Sequence, residues 1–436
     1  MHNRVGHLSV TRAGPGKAFH RGHLYVSRQR QFRIALVAFF LLLWLGFSPE
    51  PLLAASGIIR PQEIERVLFA EHVGDLYLCP RSVMLRHPER CPPYGPGARQ
   101  VRIEFLRAAL PNPLPELAVE EMEVPEDAIT PYTYAYVRKL PAPTYRHPAE
   151  ATAGLPPLRQ FLAGDNWVSV MGSVEFEGQL WYEINTDEYI RAEHLAFARP
   201  SRFHGVILTE QPRYPFGWII RDVRPSSLPG GPERADVAFR RYDRITIFGQ
   251  EPLGGQLWYM VGPDQWVEQS YIARVDVDPP PEGVEPGEKW LEINTFEQTL
   301  AAYQGERMVF ATLVSSGRPG TWTPDVLSRI WGKLPTTPMR NQDASPSSPL
   351  WYYLEDVQWT QYFFEAYALH AAYWHDSFGF TRSHGCVNLS ILDAKWLFAW
   401  TRPYASPDEK ITYSTRADPG TWVWVHRTPP SPNVKP

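Results

Sequence analysis

The sequence predicts a mainly β, multidomain protein in which two small β-barrels precede a third, β-rich domain. Its 436 residues are too many for one ordinary domain. Its 44 prolines and 16 tryptophans favour short strands with rigid connections over long helices. One strand-and-turn pattern also occurs twice in the middle of the chain. The formal net charge of −4 argues against a nucleic-acid partner, which would need a concentrated basic face.

The first segment, 1–33, carries only basic charges and is expected to be a cytoplasmic n-region. The run that follows, IALVAFFLLLWLGF at 34–47, is uncharged but shorter than the roughly 20 apolar residues of a spanning helix. Residues 34–55 are therefore expected to be a signal peptide, with Ala54-Ala55-Ser56 near its cleavage point, or a membrane anchor, which the long n-region favours. Either alternative places the rest of the chain outside the cytoplasm.

Residues 56–128 predict a small extracytoplasmic module, with mostly loop signals after one helix-like run at 62–71. Cys79 and Cys91 flank a stretch rich in Pro and Arg, and outside the cytoplasm a disulfide between them is the simplest interpretation. A zinc site is the weaker alternative, because only His87 lies between them. This pairing leaves Cys386 as an odd thiol, which in an exported protein indicates reactivity.

An internal repeat predicts the two small barrels, at 129–200 and 207–278. The sequence Gly-Gln-Leu-Trp-Tyr begins at Gly178 and again at Gly255, and matching positions follow in the same register, Asp187 with Asp264 and Ala196 with Ala273. Apolar residues at every second position upstream of each copy are typical of half-buried strands.

A linker at 279–288, made largely of Pro, Gly and Glu, is expected to separate the repeats from a C-terminal domain at 289–427. That domain begins with strand, turn and strand signals around Gly305. The polar stretch 340–349 predicts a mobile loop, and later strands are expected to end at His370.

The motif that carries chemistry is Ser383-His384-Gly385-Cys386-Val387-Asn388, with His370 upstream. A thiol attacks as thiolate, and a nearby imidazole can take its proton. The pattern from Ser390 to Asp393 predicts a capped helix. We therefore expect Cys386 just before a helix N-terminus, where free amides favour negative charge.

This arrangement resembles the signature of the L,D-transpeptidases, whose catalytic domain is of the YkuD type. Tyr352, Val357 and Trp359 stand where that family often shows an aromatic residue and a Val-x-Trp segment, and Trp374 follows the histidine as in the family. The resemblance covers roughly 290–425. It implies that the β-rich third domain is a YkuD-type catalytic domain.

The resemblance implies that the protein acts on peptidoglycan stem peptides and so contributes to cell-wall organisation and cell shape. Cys386 would be the nucleophile and His370 the general base, oriented by the Ala371 carbonyl, with His384 in a supporting role. The thiolate would attack the carbonyl of the third residue of a stem tetrapeptide, release D-Ala, and pass the acyl group to an amine of a neighbouring stem. Backbone amides near Gly385 are the expected oxyanion donors.

Five further residues are implied as substrate-binding: Ser383, Asn388, Tyr352, Trp359 and Trp374. For the three aromatic residues, core packing is an open alternative. No cofactor or metal is expected, because His375 and Asp376, close to His370 and His384, lack the spacing of familiar zinc motifs. The polar stretch 340–349 would correspond to a lid-like segment.

The two repeats look like bacterial SH3-like domains, each with a glycine, a Trp-Tyr strand and a further aromatic strand. They are expected either to bind cell-wall peptide or glycan or to serve as rigid spacers. The protein would then be anchored in the cytoplasmic membrane through 34–55 or secreted to the cell wall.

Other functions stay open. Water could resolve the same thioester, which would make the protein an L,D-carboxypeptidase or cell-wall hydrolase, and a non-catalytic wall-binding protein is a further alternative. A papain-like endopeptidase fits less well, because its cysteine usually precedes its histidine, whereas His370 precedes Cys386.

Overall fold

The computed structural model describes residues 95–125, 129–405 and 408–429. The basic segment 1–33, the apolar segment 34–55 and the cysteines Cys79 and Cys91 lie outside the described residues. In the described ranges, no helix combines the length and apolarity that a membrane span requires. The export segment and the disulfide stay predictions.

The described chain is mainly β and forms several sheets, as predicted. Its α-helices are Gly95–Ala108 (α1), Pro148–Thr152 (α2) and Ile391–Trp400 (α3). Short 3-10 helices occupy Ala192–His194 and Gln269–Tyr271.

Helix α1 lies where the sequence indicated mainly loop, so that prediction was wrong. Its Ile103 packs in one apolar cluster with Phe248 and Trp266, and its Arg102 lies 3.2 Å from a carboxylate oxygen of Glu251. Short helices are marginal alone and gain their stability from such tertiary packing, which local patterns do not reveal.

The first repeat contains eight strands, β2 to β9, and a short β1 precedes it. The bounds are Val119–Glu120 (β1), Thr133–Val137 (β2), Ala142–Tyr145 (β3), Arg159–Phe161 (β4), Asp165–Val170 (β5), Gly172–Phe176 (β6), Gln179–Asn185 (β7), Glu188–Arg191 (β8) and Leu195–Phe197 (β9). Strands β4, β3, β8, β7 and β6 form one sheet in that order, and β2 lies between β5 and β9. Their apolar side chains enclose a core that contains Val137, Ile184 and Ile190.

The second repeat contains β11 to β16, after a short β10. The bounds are Val206–Leu208 (β10), Phe216–Ile219 (β11), Arg244–Thr246 (β12), Gly249–Leu253 (β13), Gln256–Gly262 (β14), Gln265–Glu268 (β15) and Ile272–Val275 (β16). Two three-stranded sheets, β12-β11-β16 and β13-β14-β15, enclose a core that contains Ile219, Tyr259 and Val267.

The orders β6-β7-β8 and β5-β2-β9 of the first copy match β13-β14-β15 and β12-β11-β16 of the second, and the first copy adds β3 and β4. Trp181 opposes Arg191 in the first copy, and Trp258 opposes Glu268 at the matching place in the second. The turn before β8 and the turn before β15 each hold an aspartate in the left-handed region, with φ of 55° at Asp187 and 54° at Asp264. The repeat seen in the sequence is thus a repeat of structure, while its SH3-like class stays a prediction.

The C-terminal domain contributes β17 to β26. The bounds are Lys289–Asn294 (β17), Thr299–Gln304 (β18), Arg307–Leu313 (β19), Val326–Arg329 (β20), Gly332–Arg340 (β21), Tyr352–Phe364 (β22), Tyr367–Ala371 (β23), Val387–Leu389 (β24), Thr412–Tyr413 (β25) and Trp422–His426 (β26). A seven-stranded sheet has the order β1-β10-β19-β18-β17-β26-β20. An eight-stranded sheet has the order β24-β23-β22-β5-β2-β9, with β21 paired to β22 and β25 to β21. A large apolar core containing Leu291, Val357 and Leu389 draws on both sheets.

Both repeats contribute to the sheets of the C-terminal domain. Strand β5 runs parallel to β22, with Asp165 opposite Tyr352, and β10 is antiparallel to β19, with Val206 opposite Ala311. Residues 207 and 208, expected in the second repeat, therefore lie in the seven-stranded sheet. These pairings cover strand edges that would otherwise expose unpaired backbone groups.

Candidate active site

The motif is held between two parallel strands. In the β23–β24 ladder, Leu369 opposes Val387 and His370 opposes Asn388. Side chains of directly paired residues point to the same face, and residues two apart along a strand share it. The register therefore places His370, Asn388 and Cys386 on one face, with Cys386 about 7 Å from the level of His370, toward the start of the strands.

Cys386 does not directly precede a helix, contrary to the sequence prediction. Helix α3 forms as predicted, with the Ser390 hydroxyl accepting the Asp393 amide at 3.1 Å. The three-residue β24 separates Cys386 from this cap by roughly 10 Å, and the helix dipole acts only within about the first turn. The helix therefore does not hold a thiolate at Cys386.

His370 is nearly fully buried, and its ring is oriented by its own strand. Its Nδ1 lies 3.1 Å from the Ala371 carbonyl oxygen, which can only accept, so Nδ1 carries the proton and Nε2 is free to accept one. Burial lowers the pKa of His370 to about 4. The imidazole is therefore neutral at physiological pH.

Cys386 is half-buried, and its Sγ lies 3.9 Å from the Ala366 carbonyl oxygen. Burial raises the pKa of the thiol above its usual value. Tyr352 lies close to it: burial raises the pKa of this phenol to about 12, and negative charge at Cys386 adds to the effect. The resting site thus holds a neutral thiol on the same sheet face as a neutral imidazole.

Hydrogen bonds between its own residues hold the turn before Cys386. Ser383 donates its hydroxyl proton to the Cys386 carbonyl and accepts the Gly385 amide at 3.0 Å. Gly385 has a φ of 126°, and a Cβ there would lie 2.6 Å from Cε1 of Tyr367, so only glycine fits. We therefore interpret Ser383 as a residue that holds the turn, not as one that contacts substrate.

The loop after β19 also holds this turn, through side-chain hydrogen bonds. The hydroxyl of Thr323 donates to the Gly385 carbonyl at 2.7 Å, and that of Thr321 donates to the Ser383 carbonyl at 3.2 Å. Arg318 donates from Nη2 to His384 Nε2 at 2.6 Å, and the His384 ring stacks on Tyr352 with centroids 4.9 Å apart. His384 thus links this loop to Tyr352.

The other implied substrate residues separate into two groups. Trp374 lies beside His370, with ring centroids 5.7 Å apart, and Asn388 lies 2.9 Å from the His375 ring. Trp359 instead packs against Phe398 of α3 and against the large core. This position favours the core-packing alternative for Trp359.

Sequence reasoning missed Arg318, Thr323, Tyr367 and the role of His375. No motif marks them, because their contacts with the turn come from distant strands or from a neighbouring loop. The Ser315-Ser316-Gly317 stretch was a weak signal, since its small residues allow the close bridges between Ser315 and Asn388 and between Gly317 and Ser383.

Within the described residues, one group could hold a metal ion: Asp278, Glu292 and His426, whose ligand atoms lie within 4.8 Å of one another. His426 Nε2 lies 3.0 Å from Glu292 Oε1, and the Tyr303 hydroxyl donates to Glu292 Oε2 at 3.1 Å. The group lies between the end of the second repeat and strands β17 and β26, and includes no residue of the motif.

Comparison with known proteins gives a family match for the C-terminal domain. Residues 288–425 match the family model of the L,D-transpeptidase (YkuD) catalytic domain. Comparison with curated protein sequences gives no match.

Similar solved structures include an L,D-transpeptidase from Mycobacterium smegmatis, with 18% identity, 52% of this chain and 91% of that chain covered, and a TM-score of 0.27. An Enterococcus faecium L,D-transpeptidase has 20% identity over 32% of this chain, with a TM-score of 0.25, and the chain spans 50% of its length. One from Stackebrandtia nassauensis has 24% identity over 34% of this chain and 61% of its own, with a TM-score of 0.23. The family assignment rests on the match at 288–425: this segment is a catalytic domain of the L,D-transpeptidase family.

Proposed function

We propose that the protein is a cysteine-dependent peptidoglycan L,D-transpeptidase that forms cross-links between stem peptides. One observation carries the proposal. The Ala371 carbonyl engages Nδ1 of His370, which leaves Nε2 as a proton acceptor on the sheet face that bears Cys386. The family match of 288–425 supports the same reaction.

In the first step, Sγ of Cys386 attacks the carbonyl carbon at the L-centre of the third residue of a stem tetrapeptide, and the thiol proton passes to Nε2 of His370. Burial raises the pKa of the thiol and lowers that of the imidazole, so this proton moves during the attack. This replaces the expectation of a thiolate that exists before substrate binds.

The tetrahedral intermediate then collapses. The imidazolium of His370 protonates the nitrogen of D-Ala as the C–N bond breaks, which leaves a thioester on Cys386. An amine of a second stem attacks the thioester, its proton passes to Nε2 and on to the departing sulfur, and a new amide bond links the stems. Because the Gly385 amide already donates to Ser383, we assign the oxyanion to the Cys386 amide.

Tyr352, Trp374 and Asn388 are the implied substrate residues that lie near the pair, and we assign them to binding the donor stem. Outside the described residues, the basic segment 1–33 and the apolar run 34–47 support export to the cell wall, with a Cys79–Cys91 disulfide. A fusion to a reporter enzyme that is active only outside the cytoplasm tests the export.

The function is tested with a carbapenem, since β-lactams of this class acylate the cysteine of the family that the motif resembles. We expect intact-mass analysis of the full-length chain to show one adduct on Cys386. The adduct should be absent in Cys386→Ala and form far more slowly in His370→Ala. A folded protein that gives no adduct would favour the non-catalytic wall-binding alternative.

A second assay separates the transferase from the hydrolase. The enzyme is incubated with a stem tetrapeptide and an amine-bearing acceptor stem, and products are identified by mass. Cross-linked dimer together with free D-Ala supports transpeptidation. Tripeptide and D-Ala without dimer would instead identify an L,D-carboxypeptidase.

A further inference from the structure

A short segment after β23, residues 375–378, connects the second repeat to the catalytic residues. It lies between His370 and the Cys386 turn along the chain. His375 and Phe378 are buried in it, whereas Asp376 is exposed. Its contacts extend in two directions, one toward Asn388 and one toward the second repeat.

Toward the site, His375 determines how the Asn388 amide is turned. Nδ1 of His375 accepts the Ser377 amide at 3.1 Å. Burial lowers the pKa of His375 to about 3, so the ring is neutral and its single proton is on Nε2. The Asn388 atom that lies 2.9 Å from Nε2 is the side-chain nitrogen Nδ2, and two N–H donors cannot face each other. The hydrogen bonds are satisfied when the Asn388 amide is turned over, so that its oxygen accepts from His375 and its NH₂ group is directed away from the ring.

Toward the second repeat, donors converge on the same segment. The hydroxyls of Ser201 and Tyr242 both donate to Oδ1 of Asp376, each at 2.6 Å. Arg241 donates to two backbone carbonyls, that of Asp376 at 2.8 Å and that of Phe378 at 3.2 Å. Ser201 belongs to the connection between the repeats, and the other two donors belong to the second repeat.

Apolar packing supports the same attachment. The Phe203 ring lies between Tyr242 and Phe378, with centroid distances of 4.4 Å and 6.0 Å. Gly379 is so close to Ile220 of the second repeat that a Cβ would lie 2.5 Å from its Cγ2. The segment thus has little freedom to shift against the repeat.

We propose that the second repeat, with the connection before it, is a positioning element of the active site: Ser201 of the connection and Arg241 and Tyr242 of the repeat fix residues 375–378, and His375 in turn orients the Asn388 amide near Cys386. This assignment rests on the proposed function, since Asn388 matters there as a group that meets the donor stem. It gives the repeat a role other than wall binding or spacing. His375 and Asp376 are positioning residues, because they act through Asn388.

The test compares two reactions of the same thiol in the full-length chain. Carbapenem acylation needs the oriented site, whereas alkylation by iodoacetamide reports only the reactivity and access of Cys386. For Asp376→Ala and for the double variant S201A/Y242F, we expect acylation to slow by between about tenfold and a hundredfold, the usual effect of small misplacement. Alkylation should stay within about twofold of the wild type.

Two controls sharpen the comparison. Asp376→Asn keeps Oδ1 as the common acceptor, so it should recover most of the acylation rate lost in Asp376→Ala. Asp236→Asn disrupts an exposed ion pair with Arg234 in the same repeat, at 2.5 Å, and should leave both rates unchanged. Equal acylation by Asp376→Ala and the wild type would overturn the proposal. Equal slowing of acylation and alkylation would do so too, because it would indicate general loosening.

A spectroscopic readout separates this inference from the proposed function. In the ¹⁵N-histidine spectrum, assigned with His375→Gln, the wild type should show His375 protonated on Nε2, and Asp376→Ala should weaken that preference. This holds even if no carbapenem adduct forms, which would reject the transpeptidase and not the positioning contact. A wild-type His375 protonated on Nδ1 would reject the positioning contact and leave the transpeptidase standing.

Discussion

Gly385→Ala tests whether the turn before Cys386 depends on a residue without a side chain. With its φ of 126°, Gly385 adopts a conformation that costs other residues on the order of 1–3 kcal/mol. The new Cβ would also lie 2.6 Å from Cε1 of Tyr367, and overpacking of this kind costs about 1–3 kcal/mol. We expect the free energy of unfolding to fall by roughly 2–6 kcal/mol, the sum of the two effects.

The two contributions can be separated. The double variant G385A/Y367A lacks the collision but keeps the backbone strain. Its free energy of unfolding should therefore be only about 1–3 kcal/mol below that of Tyr367→Ala. Gly178→Ala is the matched control. Its φ is 71° and nothing lies within 4 Å of the added Cβ, so it should cost only about 1–2 kcal/mol.

Urea unfolding followed by tryptophan fluorescence measures these differences, and carbapenem acylation measures the effect on the site. We expect the acylation rate of Gly385→Ala to fall by about a hundredfold, because the turn carries Cys386, the proposed nucleophile. The reasoning would be refuted if Gly385→Ala were no less stable than Gly178→Ala. It would also be refuted if G385A/Y367A were as stable as Tyr367→Ala, since backbone strain would then have no measurable cost.

Three further predictions concern titration and a loop contact. The pH profile of kcat/KM should lose activity on the acid side near pH 4, where His370 gains its proton, and an acid limb near 6.5 would contradict the buried imidazole. Lys333 is buried against the end of α3, where Nζ donates to carbonyls of Phe398 and Thr401, and burial lowers its pKa to about 7. Between pH 7 and about 10, Lys333 then binds a proton in the unfolded chain but not in the folded one, so the free energy of unfolding should rise with pH over that range. The rise should be smaller in Lys333→Met. Urea titrations at pH 7 and 9.5 measure both. Burial lowers the pKa of His384, and the nearby Arg318 guanidinium lowers it further. NMR titration of Arg318→Ala should therefore find a higher pKa for His384. An unchanged pKa would mean that the contact has no electrostatic effect.

The sequence predicted those features that local patterns encode. Alternating residues marked one strand upstream of the shared motif in each repeat, and the Ser390 cap marked helix α3. These are properties of a few neighbouring residues.

The rest depends on contacts between distant parts of the chain. Helix α1 packs against the second repeat, and Arg318 reaches His384 only because the loop after β19 folds over the turn. The protonation of the Cys386 pair also escaped prediction. Sequence shows that an imidazole is near a thiol, but only the burial of both decides that neither is charged.

The boundary of the catalytic domain in sequence is not a boundary in the fold. The family match begins at residue 288, yet β5 and β10, from before that point, extend the two sheets of the domain. Tyr134 of the first repeat stacks on Tyr373, three residues after His370, with ring centroids 3.5 Å apart. The second repeat holds the segment that follows Tyr373 through Asp376. The stretch after His370 is therefore held by both repeats, so the C-terminal domain is joined to its N-terminal partners by packing and hydrogen bonds as well as by the chain itself.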